Sequence, residues 1–134
     1  MMLARLNHTL YLAMKNVGLY EWNGENFTSS PNNDPNLIHC QLLFTYDDRL
    51  WVGTTNGLFQ FDRIQWQKIE IFDKKNITAV YTQSNIIWIA TQNDGLYAYQ
   101  PQDQNYRQFL TNSAPITSIF STEKILFAGM YKGD

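Results

Sequence analysis

The chain has 134 residues, 44% of them hydrophobic, which is enough for one domain with its own core. Lys+Arg 10 against Asp+Glu 12 leaves a net charge of -2, and the basic residues are scattered from Arg5 to Lys132, which argues against a nucleic-acid binder. One cysteine, Cys40, excludes an internal disulfide framework; no apolar run approaches the roughly 18 residues of a membrane span, and the opening residues lack the long apolar stretch of a signal peptide.

Aromatic residues reach 15%, and they fall beside β-branched residues in short runs broken by polar turns. That is strand chemistry. No stretch carries the i, i+3, i+4, i+7 apolar stripe of a helix. In chain order, strands are expected at 2–6, 9–14, 18–22 and 26–29, then at 38–45, 49–53, 57–62 and 65–71. They continue at 77–83, 86–91, 95–100 and 105–110, and finally at 116–121 and 124–129. Asn23-Gly24 is expected to make a two-residue hairpin turn between Trp22 and Glu25. Asn56-Gly57 and Asp94-Gly95 supply glycine where a reversing chain needs positive φ. Tyr46-Asp47-Asp48-Arg49 and Gln83-Ser84-Asn85-Ile86 read as polar hairpin tips.

These elements repeat. Leu50-Trp51-Val52-Gly53-Thr54 followed by Gly57-Leu58-Phe59 aligns with Ile87-Trp88-Ile89-Ala90-Thr91 followed by Gly95-Leu96-Tyr97. Leu10-Tyr11-Leu12-Ala13 with Gly18-Leu19-Tyr20 is an earlier copy, and Ile125-Leu126-Phe127-Ala128-Gly129 begins a fourth, with Leu126 aligned to Trp88. Phe27, Trp66 and Tyr106 mark the same period, near 39 residues. Four strands per repeat at that period predict an all-β partial propeller, with repeats at about 1–30, 37–71 and 76–110 and an incomplete one at 115–134. The second strand is apolar at consecutive positions, as in Ile86-Ile87-Trp88-Ile89, which suits a sheet covered on both faces. A small residue (Ala13, Gly53, Ala90, Ala128) follows each Tyr11-like site by two, so large and small side chains alternate along one face. The chain holds about 3.4 repeats, below the 4–8 blades typical of a propeller, so the expectation is a fragment of a longer chain.

Residues 50–62 and 87–97 resemble the two-component regulator propeller repeat, which reads apolar-Trp-apolar-Gly-Thr, a few polar residues, then Gly-Leu-aromatic. The third copy departs at Ala90, and the first has Tyr11 for tryptophan and Ala13-Met14 for Gly-Thr. The resemblance implies a periplasmic or extracellular sensor region of a membrane-anchored hybrid histidine kinase. It implies a propeller that binds or scaffolds without catalysing, in some members in response to oligosaccharides. The partners it implies are the rest of the propeller or another copy of the chain, and, in members that respond to oligosaccharides, a carbohydrate ligand.

No residue constellation argues for catalysis, a metal or a cofactor. His39 and Cys40 are strand neighbours that point to opposite faces, and Cys40 reads as a small buried hydrophobe. Asp47 and Asp48 read as solvated turn residues, and no Asp-x-Asp-x-Asp calcium spacing appears. Trp51 and Trp88 are expected in the core, whereas Trp22 and Trp66 sit on outer strands. Ligand-binding residues are not assigned. The loops at 14–17, 54–56 and 92–94, with those at 30–37, 71–75 and 111–114, are expected at one end of the blades. Their Asn, Thr, Gln, Asp and Pro suit a polar ligand as well as ordinary loop polarity. A protein–protein interaction propeller is the alternative reading, and a carbohydrate-active enzyme the remaining one.

Overall fold

The computed structural model describes residues 2–29, 35–111, 114–122 and 126–130. The described strands form sheets that are antiparallel and follow chain order. The first sheet is β1 (Met2–Leu6), β2 (Thr9–Met14), β3 (Gly18–Trp22) and β4 (Phe27–Ser29). The second is β5 (Cys40–Tyr46), β6 (Arg49–Thr54), β7 (Gly57–Phe61) and β8 (Trp66–Lys68). The third is β9 (Ile77–Gln83), β10 (Ile86–Thr91), β11 (Leu96–Gln100) and β12 (Asn105–Phe109), and the fourth pairs β13 (Ile116–Ser121) with β14 (Leu126–Met130). This is the all-β, partial-propeller class expected from the repeat. The chain divides into two compact units, one ending at Lys74 with the first two sheets and one beginning at Lys75 with the other two.

Within each unit, neighbouring sheets bury apolar faces against each other. In the first unit Leu6, Tyr11, Ala13 and Leu19 of the first sheet pack with Leu50, Val52 and Phe61 of the second. Leu37 and Cys40 complete that core. The edges of Tyr11 and Phe61 meet at 6.4 Å between ring centroids. In the second unit Ala79, Trp88, Ala90, Leu96 and Phe109 of the third sheet pack with Ile116, Ile119, Leu126 and Ala128 of the fourth. Strand geometry explains why both faces of a strand are apolar. Leu50 and Val52 point toward the preceding sheet, so Trp51 and Gly53 between them point the other way.

The repeat's threonine has a physical role. Thr54 Oγ1 donates to the Gly57 carbonyl at 2.9 Å and accepts from the Asn56 N–H at 2.9 Å. Thr91 Oγ1 does the same with the Gly95 carbonyl and the Asp94 N–H, both at 2.9 Å. Both hydroxyls are buried, so each closes its turn with bonds that water does not supply. The following glycines have φ of +130° at Gly57 and +79° at Gly95, and a methyl on Gly95 would overlap the carbonyl oxygens of Phe109 and Leu110. In the first sheet Met14 lacks the hydroxyl, and the turn closes through the Val17 N–H to the Met14 carbonyl at 3.1 Å.

Several expectations need correction. The second sheet begins at Cys40, because residues before it form a 3-10 turn, Pro35–His39, that seats Leu37 in the core. Its last strand stops at Lys68, and a 3-10 turn over Glu70–Phe72 buries Phe72. The turn at Asn23-Gly24 has four residues, since Trp22 pairs with Phe27. Asn23 Oδ1 accepts the N–H groups of Glu25 and Asn26 at 2.9 and 2.8 Å, which stabilises the longer loop. Asp62 builds the same turn in the second sheet by accepting from Ile64 and Gln65, both at 2.9 Å. Leu126 is not the counterpart of Trp88. Leu126 and Ala128 point toward the third sheet, so Phe127 and Gly129 hold the large and small positions of the fourth repeat. The proposed strand start at Lys124 lies outside the described residues.

Trp51 and Trp88 occupy equivalent positions, opposite Phe44 and Gln60 in one sheet and Tyr81 and Ala98 in the other. Trp51 is buried, lies parallel to Phe44 at 6.0 Å and donates Nε1–H to the Tyr46 carbonyl at 3.1 Å. Trp88 is only half-buried, and its Nε1–H goes to Gln83 Oε1 at 3.1 Å. Trp51→Ala is therefore expected to lower stability by about 3–5 kcal/mol in urea unfolding, and Trp88→Ala by less than half of that. Thr91→Val, which strands the Asp94 N–H, is expected to cost about 1–3 kcal/mol in the same assay.

Candidate functional site

Several of the expected loops meet at one end of their sheets. In the first unit the Asn16 N–H donates to the Ile38 carbonyl at 2.6 Å, and the Thr55 N–H to the His39 carbonyl at 3.1 Å. The turn after β2, the segment entering β5 and the turn after β6 thus share one end, as expected for the loops at 14–17 and 54–56. Of the expected loop at 30–37, residues 30–34 lie outside the described residues, as do 112–113 of the loop at 111–114.

The second unit gathers the richer cluster. Lys75 Nζ donates to Asp94 Oδ2 at 2.7 Å, and Gln108 Nε2 to the Asp94 carbonyl at 2.7 Å. Asn76 and Gln92 are joined twice, through Asn76 Nδ2 to Gln92 Oε1 at 2.5 Å and through the Gln92 N–H to the Asn76 carbonyl at 3.0 Å. The Lys75 ammonium stands 6.0 Å from the centre of the Tyr97 ring, and Tyr97 lies 5.7 Å from the exposed Tyr106. The threonine turn places Asp94, and the chain entering β9 places Lys75 and Asn76. The hydrogen bond that Lys75 donates to Asp94 pushes the Lys75 pKa up. Burial pushes up the Tyr97 phenol, against the pull of Lys75. The result is a partly exposed set of planar amide and carboxylate groups beside an aromatic edge.

Sequence reasoning located Lys75, Gln92 and Asp94 in the expected loops. It missed Asn76, one residue past the boundary, and Gln108, which strand pairing of β12 with β11 brings opposite Tyr97, and also Tyr106, which pairs with Tyr99 and touches this end only through its ring contact with Tyr97. The one available signal was Tyr106 as a repeat marker.

A second feature recurs with the repeat, polar in the second sheet and largely apolar in the third. In the second sheet a shallow cleft is lined by Arg49, Gln60, Asp62, Gln65 and Gln67. In the third, Ile86, Ala98, Gln100, Asn105 and Arg107 line the equivalent cleft together with Tyr106. The N–H groups of Gln65 and Ile64 hold the Asp62 carboxyl below the usual carboxylate range. His39 and Cys40 do not converge: His39 is exposed, and Cys40 is buried with its thiol pKa raised by that burial. Asp47 and Asp48 form an exposed hairpin tip with φ of 52° and 57°. Among the described residues no group of three or more His, Cys, Asp or Glu side chains could hold a metal ion.

The shifts fix how stability depends on pH. Lys75 has a folded pKa above its ordinary value, so its contribution is complete below about pH 10 and is lost as pH rises through the folded value. Tyr11, Tyr97 and Tyr99, raised mainly by burial, act in the same direction, because the unfolded phenols ionise first. Asp62 and Asp73 are lowered, the latter mainly by a hydrogen bond from Lys68, so their contribution is present above about pH 4 and lost below it. Melting temperature followed by circular dichroism is expected to be flat from about pH 5 to 9 and to fall on both sides. Cys40 is expected to resist iodoacetamide at pH 7.5 in the native chain and to react once urea unfolds it, as read by mass spectrometry.

No family model matches the chain, and no curated protein matches it. Solved structures do. One is the extracellular domain of BT4673 from B. thetaiotaomicron, described there as a one-component system, with a TM-score of 0.74 and 24% identity over 95% of this chain. A second structure of that domain, described as part of a hybrid two-component system, gives 0.73 and 22% over 96%. The chain spans 19% and 18% of those two. The computationally designed Ika4 protein is similar at a TM-score of 0.72 and 12% identity, over 98% of this chain and 85% of its own. The fold of this chain is therefore that of a segment of the BT4673 extracellular domain, as the propeller-repeat resemblance implied.

Proposed function

We propose that this chain is a non-catalytic sensing or scaffold segment of an extracytoplasmic sensor propeller, held outside the membrane by a larger parent. Its loop end takes a polar, polyhydroxylated ligand through Asn76, Gln92, Asp94 and Gln108. The observation that carries the reading is the fold likeness to the BT4673 extracellular domain over 95% of the chain. The chemistry of the loop end supports it, since planar amides and a carboxylate match vicinal hydroxyls.

A thermal-shift screen against oligosaccharides tests this. Ligand at about 100 times Kd adds roughly 2.7 kcal/mol, a rise of several degrees, and Asp94→Asn or Gln92→Ala is expected to reduce that rise. No rise with any glycan, or a rise that both variants retain, rejects the loop-end reading. Reducing ends released from the same glycans are expected to stay at the no-protein level.

A further inference from the structure

We infer that Asn23-Gly24 is a self-modifying site: in the folded chain the Gly24 nitrogen displaces the side-chain amide of Asn23, while the same dipeptide at Asn56-Gly57 is protected. The inference is independent of the loop end and of any ligand. Three reversals carry a glycine after an Asn or Asp: Asn23-Gly24, Asn56-Gly57 and Asp94-Gly95. Glycine is the least hindered nucleophile that the backbone offers, because no Cβ shields its nitrogen. The fold treats the three pairs differently.

At Asn23 the parts of the reaction are in place. Both residues are exposed, and nothing lies within 4 Å of where a Cβ on Gly24 would stand. Among the described residues the Gly24 N–H donates to no acceptor, so its nitrogen turns toward Asn23 without breaking a bond. Asn23 Oδ1 accepts the N–H groups of Glu25 and Asn26 at 2.9 and 2.8 Å. Those donors sit on the oxygen that takes up negative charge as nitrogen adds to Cγ, which is the arrangement of an oxyanion hole.

The other two pairs are closed. The Asn56 N–H is held by the buried Thr54 hydroxyl, and Gly57 is buried in the ladder opposite Thr54. The Phe72 carbonyl oxygen and the Phe59 ring stand 3.5 and 3.6 Å from where a Cβ on Gly57 would lie. Asp94 is a carboxylate paired with Lys75, and an anionic carboxylate resists attack at its carbon.

The step balances as follows in atoms. The Gly24 nitrogen gives up its proton and bonds to Asn23 Cγ, the Cγ–Nδ2 bond breaks, and ammonia leaves with that proton. Water then opens the cyclic imide. Opening at Cγ leaves an aspartyl side chain, and opening at the backbone carbonyl routes the chain through Cβ. Water is consumed, ammonia is released and one carboxylate is gained. The second sheet already contains the aspartyl form of this turn, since Asp62 accepts from Ile64 and Gln65, both at 2.9 Å. The aspartyl product therefore fits the two donors that Asn23 uses, whereas the rerouted chain lengthens the turn between the paired Trp22 and Phe27.

Peptide mapping by mass spectrometry, during incubation at mildly alkaline pH, reads both asparagines in one sample. In the folded chain Asn23 is expected to convert at least about tenfold faster than Asn56. In urea the two rates are expected to converge, because only the shared dipeptide then acts. Equal rates in the folded chain overturn the inference, as does faster loss at Asn56. So does an Asn23 that stays intact when folded and converts only in urea. Asn23→Asp, which supplies the aspartyl product directly, is expected to melt at the temperature of the unmodified chain. A lower melting temperature for that variant overturns the match to the Asp62 turn.

Discussion

A strand that is apolar at every position needs a partner on both sides, and this constraint governs the rest of the structure. A sheet with one wet face alternates polar and apolar residues, but β6 and β10 do not. Leu50 and Val52 fill the space behind the second sheet while Trp51 and Gly53 face forward. Within each unit the two sheets then pack face to face, and large beside small lets twisted sheets approach without voids. Short antiparallel meanders joined in chain order meet this demand, since each hairpin returns the chain to the sheet it has just left.

The turns serve the same stack. A buried threonine hydroxyl that both donates and accepts closes the reversal after β6 and after β10, and glycine relieves the positive φ that follows. These closures leave the turn side chains pointing to one end of the sheet, where the chain entering the next strand also passes. The polar cluster of Lys75, Asn76, Gln92 and Asp94 is thus a consequence of how the core is closed. The core supplies position, and the loop residues supply chemistry.

Much of this was legible because it is periodic. The recurrence of an apolar-Trp-apolar-small-Thr run with Gly-Leu-aromatic located strands, turns and sheet boundaries to within a few residues. Departures came where a local signal competed with a tertiary one. Asn23-Gly24 favours a two-residue turn, but the pairing of Trp22 with Phe27 imposes four residues and recruits Asn23 as an internal acceptor. In the fourth repeat, Leu126 and Phe127 are both apolar neighbours of a small residue, so spacing alone does not say which faces the third sheet. Contact with Ala90 and Leu96 does.

By itself, the sequence determined the class of the molecule: all-β, four strands to a repeat, inner strands apolar on both faces, threonine and glycine at the reversals. Those features are set by side-chain period and by local backbone chemistry, both of which read directly along the chain. The tertiary structure alone decided which face of each strand is covered, how fully Trp51 and Trp88 are enclosed, and which side chains meet at the loop end. Asn76 meets Gln92, and Gln108 meets the carbonyl of Asp94, only because strand pairing carries residues 14 to 16 positions apart to the same edge. Exposure of Trp22 against burial of Phe61, at equivalent positions, likewise depends on what lies across from each sheet, and no one-dimensional pattern records that.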